Sequence, residues 1–219
     1  MTQKTRDILW YVGMGIILSF LIVEFVKALA GMVMHPRQYL AFAVGVGAYF
    51  LIRLIPAYRK NEDFFGVFTH EFAHTIASLL CFQEIHSFEA KEKSGLIWHS
   101  GTFRFGRTFI TLAPYCFPVY TLFLLLFRII GASKLLFIFD FLIGITVGFY
   151  GQCYYEQTRP YQTDLKNIGI PKSYLFIGAM LLFIVTIILL SIRLGTLNGI
   201  AFLFKSYWQD IVWLFKFVF

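Results

Sequence analysis

Charged residues are scarce in this sequence, and two long stretches have none. Only 14% of the 219 residues are charged, whereas 58% are hydrophobic. Residues 109–127 and 174–192 contain no charge, and each is close to the ~20 residues that a helix needs to cross a bilayer. A soluble domain of this length could not bury so much apolar surface. The sequence therefore predicts an integral membrane protein.

Cysteines are few, and basic residues do not form a cluster. The three cysteines, Cys81, Cys116 and Cys153, lie in apolar segments and are odd in number, which argues against a disulfide framework. The net charge of +7 comes from Lys and Arg residues scattered beside the apolar runs. Such a distribution suits lipid headgroups rather than nucleic acid. We expect membrane lipid as a partner and no nucleic acid.

The apolar runs predict an all-α polytopic membrane protein with about six transmembrane helices. The predicted spans are residues 8–32, 39–56, 64–82, 109–130, 135–151 and 174–193. Pro114 and Pro118 are expected to bend the fourth helix. The first helix is expected to be retained, because no small-residue cleavage site follows its apolar run. With the N-terminus inside, Lys and Arg divide nearly evenly between the two sides, so charge does not fix the orientation.

Four residues inside the first two predicted helices suggest how these helices pack. Glu24 and Lys27 are three residues apart, which places them on one face where they can neutralise each other. Gly45 and Gly47 are small residues that allow a neighbouring helix to approach closely. We therefore expect an ion pair on the first helix and a close helix contact at the second.

Two polar regions interrupt this helical pattern. Residues 83–106 form the longest polar stretch, in which "HSFEAK" and "LIWHS" flank "EKSG". This predicts a short β-hairpin with Gly95 in the turn. From residue 196 the sequence predicts an amphipathic C-terminal helix that lies in the membrane interface. Its polar face consists of Asn198, Lys205, Ser206, Gln209, Asp210 and Lys216.

The third apolar segment contains the pattern His-Glu-x-x-His, written "HEFAH" at residues 70–74. On a helix this spacing brings His70 and His74 to one face, where they can bind a single Zn²⁺ ion with Glu71 beside it as the general base. Ionisable groups at membrane depth cost a few kcal/mol each. Three of them on one apolar helix therefore favour a metal site over a chance occurrence of the pattern.

A catalytic zinc site needs a third protein ligand. The candidates are Asp140, Glu156 and Asp164, together with His86 and His99 in the hairpin region. We favour Asp164, because it follows "RPYQT" at a break in the backbone and irregular backbone at membrane depth survives where it lines a protein-enclosed cavity. Asp140 and Glu156 stay open as alternatives, although Glu156 is expected to pair with Arg159.

These motifs together resemble the site-2 protease family of intramembrane zinc metallopeptidases. The resemblance covers residues 64 to about 170 and is carried by "HEFAH", the hairpin-like segment, "TLAPYCFPVY" and "QTDL". It implies that His70 and His74 bind zinc, that Glu71 is catalytic and that a later aspartate completes the site. The family's Gly-Pro-x-x-Asn motif and Asp-Gly pair are not reproduced, since "LAPYCFP" contains Pro114 but no asparagine and Leu165 follows Asp164.

The resemblance implies that residues 1–219 form a single transmembrane metallopeptidase-like domain with its core at 64–170. The expected function is a zinc protease of the membrane, a bacterial cytoplasmic membrane by its compact form, that cleaves a transmembrane or membrane-adjacent peptide segment. Two alternatives stay open. One is a membrane-anchored protease whose site faces water and takes Glu156 as third ligand. The other is a non-enzymatic scaffold or metal-binding transporter that uses the His pair structurally.

Overall fold

The computed structural model describes residues 2–90, 95–99 and 106–218, and it is mostly helical. The helices of its first half are α1 (Gln3–Met34), α2 (Leu40–Ile52), α3 (Pro56–Lys60) and α4 (Glu62–Leu80). Two strands follow, β1 (Ile85–Ala90) and β2 (Gly95–His99). The second half contains α5 (Arg107–Cys116), α6 (Val119–Ile130), α7 (Leu136–Gln157), α8 (Thr163–Ile168), α9 (Ile170–Leu194) and α10 (Thr196–Val218).

Fewer helices can span a membrane than the six predicted. Three helical segments among the described residues are long and apolar enough, namely Gln3–Met34, Ser133–Gln157 and Ile170–Leu194. A fourth span is possible if α5 and α6 are counted as one bent segment. The prediction of six spans was therefore wrong, although the first, fifth and sixth predicted spans coincide with these three segments.

The second and third predicted spans do not qualify as membrane spans, each for its own physical reason. Helix α2 contains only 13 residues, which makes it about 20 Å long at 1.5 Å per residue and too short for a ~30 Å hydrocarbon layer. Helix α4 has 19 residues, but Glu62, Asp63 and Glu71 make it too polar to pass as a span. Counting apolar residues in the sequence overlooked both limits.

The fourth predicted helix is broken, as its prolines suggested. Helices α5 and α6 meet at an angle of 86°, and the break lies at Phe117 and Pro118, between the two helices. Pro118 has no backbone N–H to continue the helical ladder. Pro114, in contrast, lies inside α5. The break lets α5 pack against α4 while α6 packs against α7.

The predicted hairpin is present as two antiparallel strands, with Ala90 opposite Gly95. Gly95, which was predicted to lie in the turn, is instead the first residue of β2, and residues 91–94 lie outside the described residues. Both strands contact α4. The hairpin is therefore attached to the helix that carries the His-Glu-x-x-His pattern.

Helix α10 packs along α9, and it is not among the described segments that are long and apolar enough to span a membrane. Gly199 lies against the backbone of Leu190 and Ser191, whereas Tyr207 and Ile211 share a pocket with Phe176 and Phe183 of α9. Residue numbers along α10 therefore increase in the direction in which those along α9 decrease, so the two helices run antiparallel. Two residues of the predicted polar face, Ser206 and Asp210, point into the protein rather than away from it.

Polar contacts join α1 to α10 and α6 to α7. Lys27 Nζ lies 2.7 Å from Glu24 Oε1, which confirms the predicted pair on α1, and Ser206 Oγ of α10 donates to the same oxygen at 2.7 Å. Arg128 Nε donates to Asp140 Oδ1 at 2.8 Å, and both side chains are almost completely buried. The Arg128–Asp140 pair is internal, whereas the Lys27 side chain is exposed and its partner Glu24 is buried.

Candidate metal centre

Helix α4 carries the three residues of the His-Glu-x-x-His pattern within one and a half turns. His70 and His74 are four residues apart, so their side chains lie on one side of the helix. Their ring centroids are 5.0 Å apart, and both rings are partly buried. This side of α4 faces α5 and the end of α7, where further side chains complete the site.

Asp164 meets both histidines from a different part of the chain. It lies in the first turn of α8, in the polar connection between α7 and α9. Its Oδ2 atom is 3.5 Å from His70 Nε2 and 3.5 Å from His74 Nε2. Among the described residues, these three side chains form the one His, Cys, Asp or Glu group whose ligand atoms all lie within 4.8 Å of one another.

The donor set and its spacing fit a zinc ion. Two nitrogens and one carboxylate oxygen are the usual ligands of catalytic zinc, which keeps its fourth position open. Ligand atoms about 2.1 Å from zinc at a tetrahedral angle are roughly 3.4 Å apart. The two Nε2–Oδ2 distances of 3.5 Å match this separation.

Both imidazoles are oriented through their other nitrogen. His70 Nδ1 is 3.1 Å from Gln157 Oε1 at the end of α7, and His74 Nδ1 is 2.8 Å from the backbone oxygen of Ile110 in α5. Because both partners are acceptors, they favour the neutral tautomer with its proton on Nδ1, which leaves the Nε2 lone pair free for a metal ion. Metal-binding histidines characteristically have such a partner.

Tyr115 contacts two of the three candidate ligands. Its hydroxyl donates a hydrogen bond to Asp164 Oδ2 at 3.1 Å, and its ring packs edge-on against His70 with a centroid distance of 5.3 Å. The side chain is completely buried. Sequence reasoning missed Tyr115 and Gln157, because neither belongs to a spaced motif. The one available signal was position, since Tyr115 follows Pro114 and Gln157 precedes the polar connection.

Glu71 stands beside the three candidate ligands and is half-buried. Its electrostatic partners are His70, His74 and Asp164, and burial raises the pKa of its carboxyl group above the usual value. A carboxylate shifted in this direction is a better proton acceptor near neutral pH. The position and basicity of Glu71 therefore suit a general base.

Asp164 is ionised in this arrangement. Burial alone would raise the pKa of its carboxyl group, but the imidazoles of His70 and His74 beside it outweigh burial and hold the pKa well below its usual range. An ionised carboxylate facing two imidazole nitrogens is ready to accept a cation without losing a proton first.

The other candidate ligands are engaged elsewhere. Asp140 is paired with Arg128 on the far part of α7. Glu156 Oε1 lies 3.2 Å from Arg53 Nη2, so its predicted pairing with Arg159 was wrong. The guanidinium of Arg159 instead stacks over the Tyr155 ring at 5.1 Å.

The two histidines of the hairpin region add no ligand to the centre. His86 is exposed on β1, and it is not part of the group formed by the described residues. The side chain of His99 lies outside the described residues. The comparisons with known proteins add no relative to this picture: no family model, curated protein or solved structure matches the chain.

Proposed function

We propose that this protein is a zinc metalloprotease of the membrane that hydrolyses a peptide bond in a transmembrane or membrane-adjacent segment. The observation that carries the proposal is the convergence of His70 Nε2, His74 Nε2 and Asp164 Oδ2, with Glu71 beside them. Helices long and apolar enough to span a bilayer support the membrane setting. The resemblance to site-2 proteases at "HEFAH" and "QTDL" points to the same reaction.

His70, His74 and Asp164 are the residues that would hold the ion. When bound, zinc supplies the Lewis acidity that polarises a peptide carbonyl and makes a water molecule nucleophilic near neutral pH. Gln157, the Ile110 carbonyl and Tyr115 keep the ligand atoms aimed at a common point. This fixed arrangement removes the need to reorganise the site for each turnover.

Glu71 performs the proton transfers. Its carboxylate accepts a proton from the attacking water, whose oxygen bonds to the carbonyl carbon. It then passes that proton to the amide nitrogen as the carbon–nitrogen bond breaks, which leaves a carboxylic acid and an amine. The remaining proton of the acid passes to the amine, so that the products are a carboxylate and an ammonium group. Water is therefore consumed and Glu71 is regenerated, without any nucleophilic Ser or Cys.

The membrane setting defines the class of substrate. A peptide segment that reaches this site has to leave its helical conformation, because a helix protects its own carbonyl groups. We therefore propose a transmembrane or membrane-adjacent protein segment as substrate and lipid as the surrounding partner. We place the protein in a bacterial cytoplasmic membrane.

Metal content and proteolysis of matched variants test the proposal. Detergent-purified wild type and Glu71→Gln should each contain one zinc ion per chain, but Glu71→Gln should not cleave single-span reporter proteins, as followed by mass spectrometry. Glu156→Gln is the matched control, since it makes the same change in a carboxylate that pairs with Arg53. Cleavage that survives Glu71→Gln would contradict the protease proposal.

A separate measurement addresses the transporter alternative. Zinc flux into proteoliposomes that persists in Glu71→Gln, together with no proteolysis by wild type, would favour a metal-binding transporter. Zinc absent from wild type would favour a scaffold. The two alternatives are thus distinguished from the protease and from each other.

A further inference from the structure

One side of α10 carries a polar stripe that faces away from the protein. Its members recur at intervals of seven, four and seven residues, which keeps them on one side of a helix. All four are exposed, and they are Asn198, Lys205, Gln209 and Lys216. We call this surface the α10 stripe. It contains two basic side chains, two amides and no acidic side chain.

The centre of the α10 stripe lies level with the middle of a candidate membrane span. Lys205 falls between Gly199, which packs on Leu190, and Ile211, which shares a pocket with Phe176. These positions of α9 belong to the segment Ile170–Leu194, a candidate span. Lys205 is therefore level with the middle of α9 rather than with either end, and with α9 across a bilayer its side chain is too short to reach the headgroups.

The other lysine at this depth shows what such a residue requires. Lys27 Nζ is 2.7 Å from Glu24 Oε1 and 3.1 Å from Asp210 Oδ2. It also donates to Ser206 Oγ at 3.1 Å. Two carboxylates and a hydroxyl thus surround one ammonium group, because an unpaired charge in hydrocarbon is unfavourable.

Lys205 has no comparable surroundings. Throughout the described part of the chain, neither Lys205 nor Gln209 has a hydrogen-bond or ion-pair partner. The acidic residue nearest along the helix, Asp210, points inward to Lys27. A partner for Lys205 therefore has to come from another molecule.

We propose that the α10 stripe is a docking face for a transmembrane helix of another protein, with an acidic side chain at the level of Lys205. Charge complementarity selects this partner, since the stripe is positively charged and its two amide side chains can both donate and accept hydrogen bonds. A second copy is disfavoured, because a two-fold interface would place the lysines of one stripe against those of the other. The proposal is independent of the protease activity.

The shape of the surface suits a helix. A groove of about 350 Å³ beside the stripe is lined by Trp208, Gln209, Val212, Trp213 and Lys216. Large aromatic side chains next to polar ones are typical of helix docking surfaces, where the aromatics supply area and the polar groups supply register. The groove offers space for apolar side chains of the partner on one side of its acidic residue.

Synthetic helices test the proposal on the full-length protein. The probes are 23-residue Leu/Ala helices with a central Glu, Gln or Lys, and binding is measured in phosphatidylcholine nanodiscs by energy transfer from the labelled protein. Wild type should bind the Glu helix about tenfold more tightly than the Gln helix. Lys205→Met should remove this preference, whereas Lys205→Glu should transfer it to the Lys helix.

Lys134→Met is the matched control, because Lys134 is exposed but lies outside α10. It should keep the preference of wild type for the Glu helix, as should Lys205→Arg. Equal affinity of wild type for the Glu and Gln helices would overturn the proposal, and so would an unchanged preference in Lys205→Glu. Self-association of wild type that is lost in Lys205→Met would overturn it in favour of a second copy.

Discussion

The hydroxyl group of Tyr115 donates a hydrogen bond to Asp164 Oδ2, the same oxygen that lies 3.5 Å from both histidine Nε2 atoms. One fully buried phenol therefore fixes the carboxylate at the point where the three candidate ligands meet. Outer partners of this kind are worth about 10–100-fold in metal affinity. Several measurable consequences follow from this contact and from its neighbours.

Tyr115→Phe should weaken zinc binding by about 10–100-fold, because Asp164 loses the donor that orients it. Competition with a zinc chelator in detergent measures the dissociation constant. Tyr39→Phe is the matched control, since its buried hydroxyl donates to the Leu189 carbonyl at 3.0 Å, far from the site. Equal zinc affinity in Tyr115→Phe and Tyr39→Phe would show that the Tyr115 hydroxyl has no role at the centre.

Asp164→Asn and His74→Ala should each lose zinc, because each removes one of three ligands. Asp140→Asn is the control for Asp164→Asn, since Asp140 pairs with Arg128 instead. Metal analysis of the purified proteins should give one zinc ion per chain in Asp140→Asn and wild type. Zinc retained in Asp164→Asn would exclude Asp164 as the third ligand.

Gln157→Leu should weaken zinc binding, because His70 Nδ1 loses its acceptor and the ring is free to rotate or change tautomer. Gln157→Glu keeps an acceptor at the same position and should retain most of the affinity. The absorption spectrum of the cobalt-substituted protein reports the ligand geometry directly. Identical cobalt spectra in Gln157→Leu and wild type would contradict this role.

Arg128→Ala should destabilise the fold by about 3–5 kcal/mol, because it leaves the Asp140 carboxylate buried without its partner. Arg53→Ala removes two ion pairs, with Glu62 and Glu156, that are more exposed to solvent, and we expect a loss below about 1 kcal/mol. Denaturation in mixed micelles, followed by circular dichroism, measures both. A similar loss in the two variants would mean that leaving the buried Asp140 carboxylate without its partner costs no more than breaking an exposed ion pair.

Gly45→Ala should destabilise the contact between α2 and α7 by about 1–3 kcal/mol, because a Cβ atom there would overlap the backbone oxygen of Phe141. Gly47→Ala is the matched control on the same helix, since a Cβ atom at Gly47 has nothing within 4 Å. Thermal unfolding in detergent should separate the two variants. Equal midpoints would show that the helices can move apart at no cost.

Local sequence spacing predicted part of the candidate site. The four-residue interval placed His70 and His74 on one side of a helix, because that relation depends only on helical geometry. The break in the chain near residue 164 pointed to Asp164, because irregular backbone at membrane depth was expected to line a protein-enclosed cavity. Tyr115 and Gln157 could not be predicted, since their contacts depend on how α5, α7 and α8 pack around α4.

The fold was predicted less well where length and chain direction matter. Apolar content marked every helix of the predicted spans, but it did not show that α2 ends at Ile52 or that α5 and α6 part at 86°. The polar positions of α10 were read as one interfacial face. In the structure Ser206 and Asp210 face Lys27 of α1, whereas the other four polar positions form the outer stripe. This division depends on the packing of α1 against α10, which the sequence does not show.

The arrangement of α4 and α8 also imposes an order on biosynthesis. The ribosome makes His70 and His74 long before Asp164, and the helices between them must be inserted before α8 can approach α4. A nascent chain that stops after α7 has both imidazoles but lacks the third ligand. On the proposed function, metal loading therefore follows the insertion of α8, and a chain that stops before α8 cannot form the three-ligand site.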